Sequence, residues 1–232
     1  MPTNTYLVYV NRVLRGFNEA ELSSSNFATA GGFYADVKDA VNSSIQEIHQ
    51  SEEYQWPFNI SKGTVTLTAD GEQEFELDAS AILVDWSSFY IKNQTIGSEE
   101  INAQRIRPIS LDEYRRHYKV QDDNKTSLTD YSKPERLVRN LNNKLIVSPP
   151  ANLAYEVEYD YWTVPTTLSA ATDTTTIPDT YENVVVAGAR YYAYMFRDNY
   201  ESAAVELEKF NNGIDMMRRV LAPERPYIIP DN

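Results

Sequence analysis

Residues 179–221 read DTYENVVVAGARYYAYMFRDNYESAAVELEKFNNGIDMMRRVL. Large or space-filling residues recur at Tyr181, Val184, Val185, Gly188, Tyr191, Tyr192 and Met195, which is one broad face of an α-helix. Asp179 followed by Glu182 has the spacing of a capping box, just after Pro178. Asp198 and Asn199 supply a turn, and Glu201 repeats the cap spacing from Asp198. Ala203, Leu207, Phe210, Ile214, Met217 and Leu221 then step alternately by four and three, predicting a second helix with a narrow apolar seam. Pro223 ends it. Two such helices around a short turn make an antiparallel hairpin. The pair offers too little surface to fold alone and needs partners from elsewhere in the chain.

The first fifty residues have the pattern of those partners. Tyr6, Leu7, Val10, Val13, Leu14 and Phe17 fall on one helix face, with Asn11, Arg12 and Arg15 opposite. Phe33, Tyr34, Val37, Ala40, Val41, Ser44, Ile45 and Ile48 predict a second long helix, stopped before Pro57, with Trp56 and Phe58 plugging its exit. The predicted core therefore contains Val10, Leu14, Val37, Val41, Ile45, Ile48, Val184, Tyr191, Met195, Leu207, Phe210, Ile214 and Met217.

Between these helices the period changes from 3.6 to 2. Residues 64–68 and 72–77 alternate about Asp70-Gly71, a hairpin signal. Residues 82–91, 105–109, 136–141, 144–147 and 154–162 read as further strands, with Asn142-Asn143 as a second hairpin turn and a short helix at Leu111, Tyr114 and Tyr118. Residues 165–176 read as a Ser/Thr/Asp-rich linker. The expected fold class is α+β: a four-helix bundle split in sequence, two helices from each end, with an inserted antiparallel β-sandwich or barrel-like region. The expected divisions are 1–58 and 176–221 for the bundle, 59–175 for the β insert, and 222–232 for an extended, proline-stiffened tail.

Composition limits what this fold does. The chain of 232 residues carries a net charge of −13 and no cysteine. Seventeen tyrosines suit an interface-rich protein. The acidity is spread out: three basic against seven acidic residues in 1–58, twelve against eighteen in 59–175, six against nine in 176–232. An acidic surface disfavours wrapping nucleic acid or an anionic membrane, but not DNA sliding past. No run approaches a membrane span of about 20 apolar residues. The lack of thiols removes disulfides, thiolate metal sites and cysteine nucleophiles. His49 and His117 are the only histidines. His49 beside Glu52 and Glu53 is a poor metal set, since transition-metal sites use two or more strong ligands. Asp36 with Asp39, Glu99 with Glu100, and Asp122 with Asp123 are too close in sequence to flank a glycosidic cleft unaided. Arg105, Arg107, Arg115, Arg116, His117 and Lys119 form the one basic concentration, balanced by Asp112 and Glu113. No catalytic residue, cofactor or metal is expected.

The stretches VNRVLRGFNEAEL, EEYQWPFN and TTTIPDTYENVVVAGARYYAYMFRD, in this order around a β insert, resemble the head-to-tail adaptor (tail tubular protein A) family of short-tailed phages. Trp56-Pro57-Phe58-Asn59 and Ile177-Pro178-Asp179 are the most specific parts. The resemblance implies a ring, typically of twelve copies, in the neck of the virion and assembled in the host cytoplasm. It implies docking below the portal protein, a lower face for the tail nozzle protein, sides for fibres or spikes, and DNA passing through without specific binding. The family brings no catalytic residues. Tyr227, Ile228 and Ile229, apolar and flanked by prolines, are the expected portal-binding residues. The alternative is a fibre-attachment or glycan-binding module using Trp86, Tyr90 and Trp162.

Overall fold

The computed structural model describes residues 3–140 and 144–221. The described chain is mixed α and β. Its helices are α1 (Tyr6–Gly16), α2 (Phe33–Gln50), α3 (Leu111–His117), α4 (Lys119–Asp123), α5 (Glu182–Phe196) and α6 (Tyr200–Leu221). Its strands are β1 (Ile60–Thr66), β2 (Glu74–Phe75), β3 (Ala81–Val84), β4 (Tyr90–Ile91), β5 (Gln94–Ile96), β6 (Glu99–Ile101), β7 (Gln104–Arg105), β8 (Arg107–Ile109), β9 (Arg136–Arg139), β10 (Leu145–Ser148) and β11 (Glu156–Thr163). Two compact units result: Met1–Asn59 with Val164–Asn232, and Ile60–Thr163.

In the first unit α5 packs against α1, α2 and α6. A helix covered on three sides needs small residues where its neighbours cross. Val184, Val185, Gly188, Ala189 and Ala193 supply them and are buried. A Cβ at Gly188 would lie 2.3 Å from Ser44 Oγ and 2.7 Å from the Phe210 ring. The large residues of α5 go to the rim: Tyr191 is half-buried and Met195 is 37% exposed, so neither belongs to the core in which their spacing placed them. Val10, Leu14, Val37, Val41, Ile45, Ile48, Val184, Phe210, Ile214 and Met217 are buried, and Leu207 packs half-buried against them. Trp56 is buried too, its Nε1–H donating to the Ile48 carbonyl at 2.7 Å and its ring stacked on Phe58.

Two asparagines fasten extended chain to this core. Asn11 is buried, not on the polar face. It donates to the Leu22 carbonyl at 2.9 Å and accepts from the Leu22 N–H at 2.8 Å. Asn42 makes the same pair of bonds with Leu168, at 3.0 and 3.1 Å. Residues 165–176 are therefore not a free linker. Leu168 is buried, and the N–H groups of Tyr6 and Leu7 donate to the Asp173 and Ala171 carbonyls. Replacing Asn11 with leucine would orphan both polar groups of Leu22. The expected cost is about 2 kcal/mol, read from chemical denaturation. An unchanged midpoint would show that water replaces the side chain.

The caps differ from their spacing. Asp179 does not cap α5. Its carboxylate accepts from Thr3 N–H (2.8 Å), Thr3 O–H (2.6 Å) and Asn4 N–H (3.1 Å), which hold its pKa below the usual carboxylate range. Asn199, not Asp198, meets the start of α6, accepting from Ser202 N–H at 3.2 Å, while Asp198 takes a positive φ of 55°.

The second unit holds a sheet ordered β1-β11-β4-β7, with β3 also on β11, a sheet ordered β2-β10-β9-β8, and the ribbon β5-β6. All pairings are antiparallel except β8 with β9. β11 is central and shows the alternation of a strand with one face inward: Val157, Tyr159 and Tyr161 are buried. Gly63 lets the Tyr159 ring cross β1, since a Cβ there would meet it at 2.3 Å. Asp70-Gly71 is a turn but not a hairpin, because β1 pairs with β11 and β2 with β10. The run 82–91 is two strands, broken where Asp85 accepts from the Ser87 N–H at 2.8 Å. Residues 105–109 likewise split between two sheets. The 136–147 strands pair with each other, Arg139 opposite Leu145; Asn142-Asn143 lies outside the described residues. Many tyrosines serve the interior of one unit or the other: Tyr6, Tyr9, Tyr114, Tyr155, Tyr159 and Tyr161 are all buried.

Candidate functional site

The helical unit holds a cleft of about 480 Å³ whose walls come from α1, α5 and α6. Its position follows from the helical period. On α5, Val185, Gly188 and Tyr192 face α2: Ser44 Oγ donates to the Val185 carbonyl at 2.8 Å, and Tyr192 O–H donates to Glu47 at 2.7 Å. At about 100° per residue, Asn183, Ala187 and Arg190 point the opposite way, and these line the cleft. Arg12 and Arg15 of α1 form one rim, and Glu206, Lys209 and Met216 of α6 the other.

Four cations thus converge on an acidic protein. Arg12 pairs with Glu182, Arg15 with Glu21 at 2.5 Å, and Lys209 with Glu206 at 2.7 Å. Arg190 has no carboxylate partner among the described residues. It donates from Nη2 to the Arg12 carbonyl at 3.2 Å, and its buried Nε has no hydrogen-bond partner. The guanidinium lies against Gly16, where a Cβ would come within 2.7 Å of Nε. A planar cation held by a backbone carbonyl and a glycine is preorganised for a carboxylate or phosphate. The sequence concealed this site because its members are up to about two hundred positions apart.

The residues singled out by sequence lie elsewhere. His49 is buried, and its Nδ1 accepts from Asn59 Nδ2 at 2.9 Å. That bond leaves the ring proton on Nε2, which has no partner. Burial pulls its pKa down to about 4. Among the described residues no three His, Asp or Glu side chains are placed to hold a metal ion together. The basic concentration in the β unit is dispersed in local contacts: Arg116 pairs with Asp112 at 2.9 Å, Lys119 with Asp123 at 3.1 Å, and Arg105 Nε donates to the Ser87 carbonyl. Of the carboxylate pairs, Asp36, Asp39, Glu99 and Glu100 are exposed, whereas Asp122 is buried beside Lys125. Trp86, Tyr90 and Trp162 form no open aromatic platform: each is half-buried, Trp86 is stacked on Phe89, and Tyr90 is bonded to Glu158. Tyr227, Ile228 and Ile229 lie outside the described residues.

The family model described as SU10 adaptor protein matches residues 4–227, which takes in both units. The chain belongs to the SU10 adaptor protein family. Curated proteins give no match. As a member of a phage adaptor family, this chain is a structural virion protein of the neck region that meets other virion components. In an adaptor the relevant chemistry is that of surfaces, and the α1/α5/α6 cleft is a concavity lined by Arg12, Arg15, Arg190, Glu206 and Lys209. No helix among the described residues is long and apolar enough to cross a membrane.

Proposed function

We propose that this chain is the head-to-tail adaptor itself: a non-enzymatic ring component, twelve copies in the ring, that joins the portal to the tail nozzle and frames part of the DNA channel. The helices form a bundle split in sequence that builds the ring wall. The β unit, an inserted sandwich, is the docking module for the nozzle and for fibres or spikes. The observation that carries this reading is the family match across both units. The net charge of −13 supports it, since an acidic wall lets DNA pass without holding phosphates.

The test is native mass spectrometry of the purified protein alone and with portal rings. Binding in a fixed, saturating multiple is the expected result. No binding, with retention of a cell-surface glycan by the β unit, would replace this reading with the glycan-binding one. Within the same reading, Tyr227, Ile228 and Ile229 anchor the chain to the portal. Deleting residues 223–232 is expected to leave the melting temperature unchanged and to weaken portal binding at least about a hundredfold, the loss of two to three buried anchors. Wild-type binding by the shortened chain would remove the tail from the account.

A further inference from the structure

We propose that neighbouring copies join by seating the acidic outer face of α2 from one copy in the basic α1/α5/α6 cleft of the next. The inference rests on the ring reading above and adds which surfaces close the ring. A closed ring of identical chains uses a heterologous contact, in which one face of a copy meets a different, complementary face of its neighbour. The helical unit carries such a pair. The buried residues of α2, Val37, Ala40, Val41, Ser44, Ile45 and Ile48, occupy one side. The opposite side is a row at Asp36, Asp39, Ser43, Gln46 and Gln50, polar throughout, with exposed Glu53 just beyond the helix. The helix presents no lysine or arginine on that row. The cleft lies across α5 from α2, because Arg190 and Ala187 point away from the residues that touch Ser44 and Glu47. The acidic row of α2 and the Arg190 guanidinium therefore lie on opposite sides of α5.

The receiving side has more than charge. Arg190 is fixed, unpaired by any carboxylate among the described residues, and flanked by apolar floor residues Val184, Val186 and Ala187, with Met216 on the rim. A carboxylate arriving there makes a charge-assisted bond in a partly dry site, where it is stronger than on open surface. The chain itself, with 34 acidic residues, is the partner whose chemistry is at hand. DNA is the other polyanion that could enter, and the test separates the two.

The test uses full-length chains on portal rings at substoichiometric ratio. Neighbour contacts make filling cooperative, so the wild type is expected to give full rings beside bare portals. The cleft variant is Arg15→Glu with Lys209→Glu, chosen because these side chains are 62% and 59% exposed. The stripe variant is Asp36→Lys with Asp39→Lys. Each is expected to weaken neighbour affinity about tenfold or more, giving partly filled rings, because like charges then face each other. The chain carrying all four changes is expected to restore full rings. Helical circular dichroism and melting temperature confirm that each variant folds. Unchanged filling in both variants, or no restoration in a folded fourfold variant, overturns the proposal while leaving the ring intact. Non-cooperative filling by the wild type does the same. Loss of DNA retention in the cleft variant with unaltered filling assigns the cleft to DNA and also overturns it. No fixed multiple of wild type on the portal defeats the adaptor reading and this one together.

Discussion

Gly188→Val is expected to lower the stability of the helical unit by about 3 kcal/mol. A Cβ at this position meets Ser44 Oγ at 2.3 Å and Phe210 Cε2 at 2.7 Å. Neither neighbour retreats cheaply. Ser44 is buried and donates to the Val185 carbonyl, and Phe210 is buried completely. Valine adds two methyls to a crossing already in contact with α2 and α6. Helix propensity opposes this by less than about 1 kcal/mol, so packing decides the sign. A loss of that size moves the melting temperature of a unit this large by about 10 °C. Thermal unfolding followed by the helical circular dichroism signal reads it. Alanine should give a smaller loss, part of which Ser44→Gly in the same chain should recover. If Gly188→Val melts with the wild type, the helices are not packed as described.

The second large effect is a loss of stability in mild acid caused by one residue. His49 is neutral in the fold, accepting from Asn59, whose carbonyl in turn accepts from Thr176 O–H at 3.1 Å. Protonation would break the Asn59 bond and strand a charge against Phe58. With a folded pKa of about 4 against 6.5 unfolded, the unfolded chain binds the proton first. The stabilisation is thus fully present above pH 6.5 and is lost progressively as pH falls to about 4. The loss over that window amounts to about 3 kcal/mol. Denaturant unfolding at pH 7 and pH 4.5 should show it in the wild type. His49→Gln keeps an acceptor for Asn59 but has nothing to titrate, so its stability should fall much less. Asp173 and Asp179, whose carboxyls are also held low by hydrogen bonds, are common to both proteins and cancel in the comparison. Equal losses in the two proteins would remove His49 as the cause.

What the sequence discloses about this fold is what period and local contacts determine. The four long helices and β11 follow from periodicities of 3.6 and 2, because each buries an apolar side over most of its length. Partners are a different matter. Asp70-Gly71 has the composition of a hairpin, yet β1 has seven registered positions on β11 and none on β2. Asp179 has cap spacing, but the Thr3 and Asn4 amides compete for its oxygens and win. Met195 keeps the apolar period of α5 past the point where neighbours cover it. Asn11 looks polar and outward because the demand of Leu22 for a donor and an acceptor is invisible in α1 alone. The basic cleft is the extreme case, since Arg12, Arg190 and Lys209 become one site only when both ends of the chain meet.

The inserted β unit begins on β1 and ends on β11, and these two strands are partners, Ile60 opposite Trp162. Paired residues in an antiparallel ladder sit about 5 Å apart. Once that ladder has formed, residues 59 and 164 are tethered as tightly as the ends of a short turn. More than a hundred residues of insert then cost the helical halves little closure entropy, and their effective concentration no longer depends on the insert's length. Such an arrangement is a self-zipping cassette: loops of the β unit can lengthen or be exchanged without weakening the ladder that tethers residues 59 and 164.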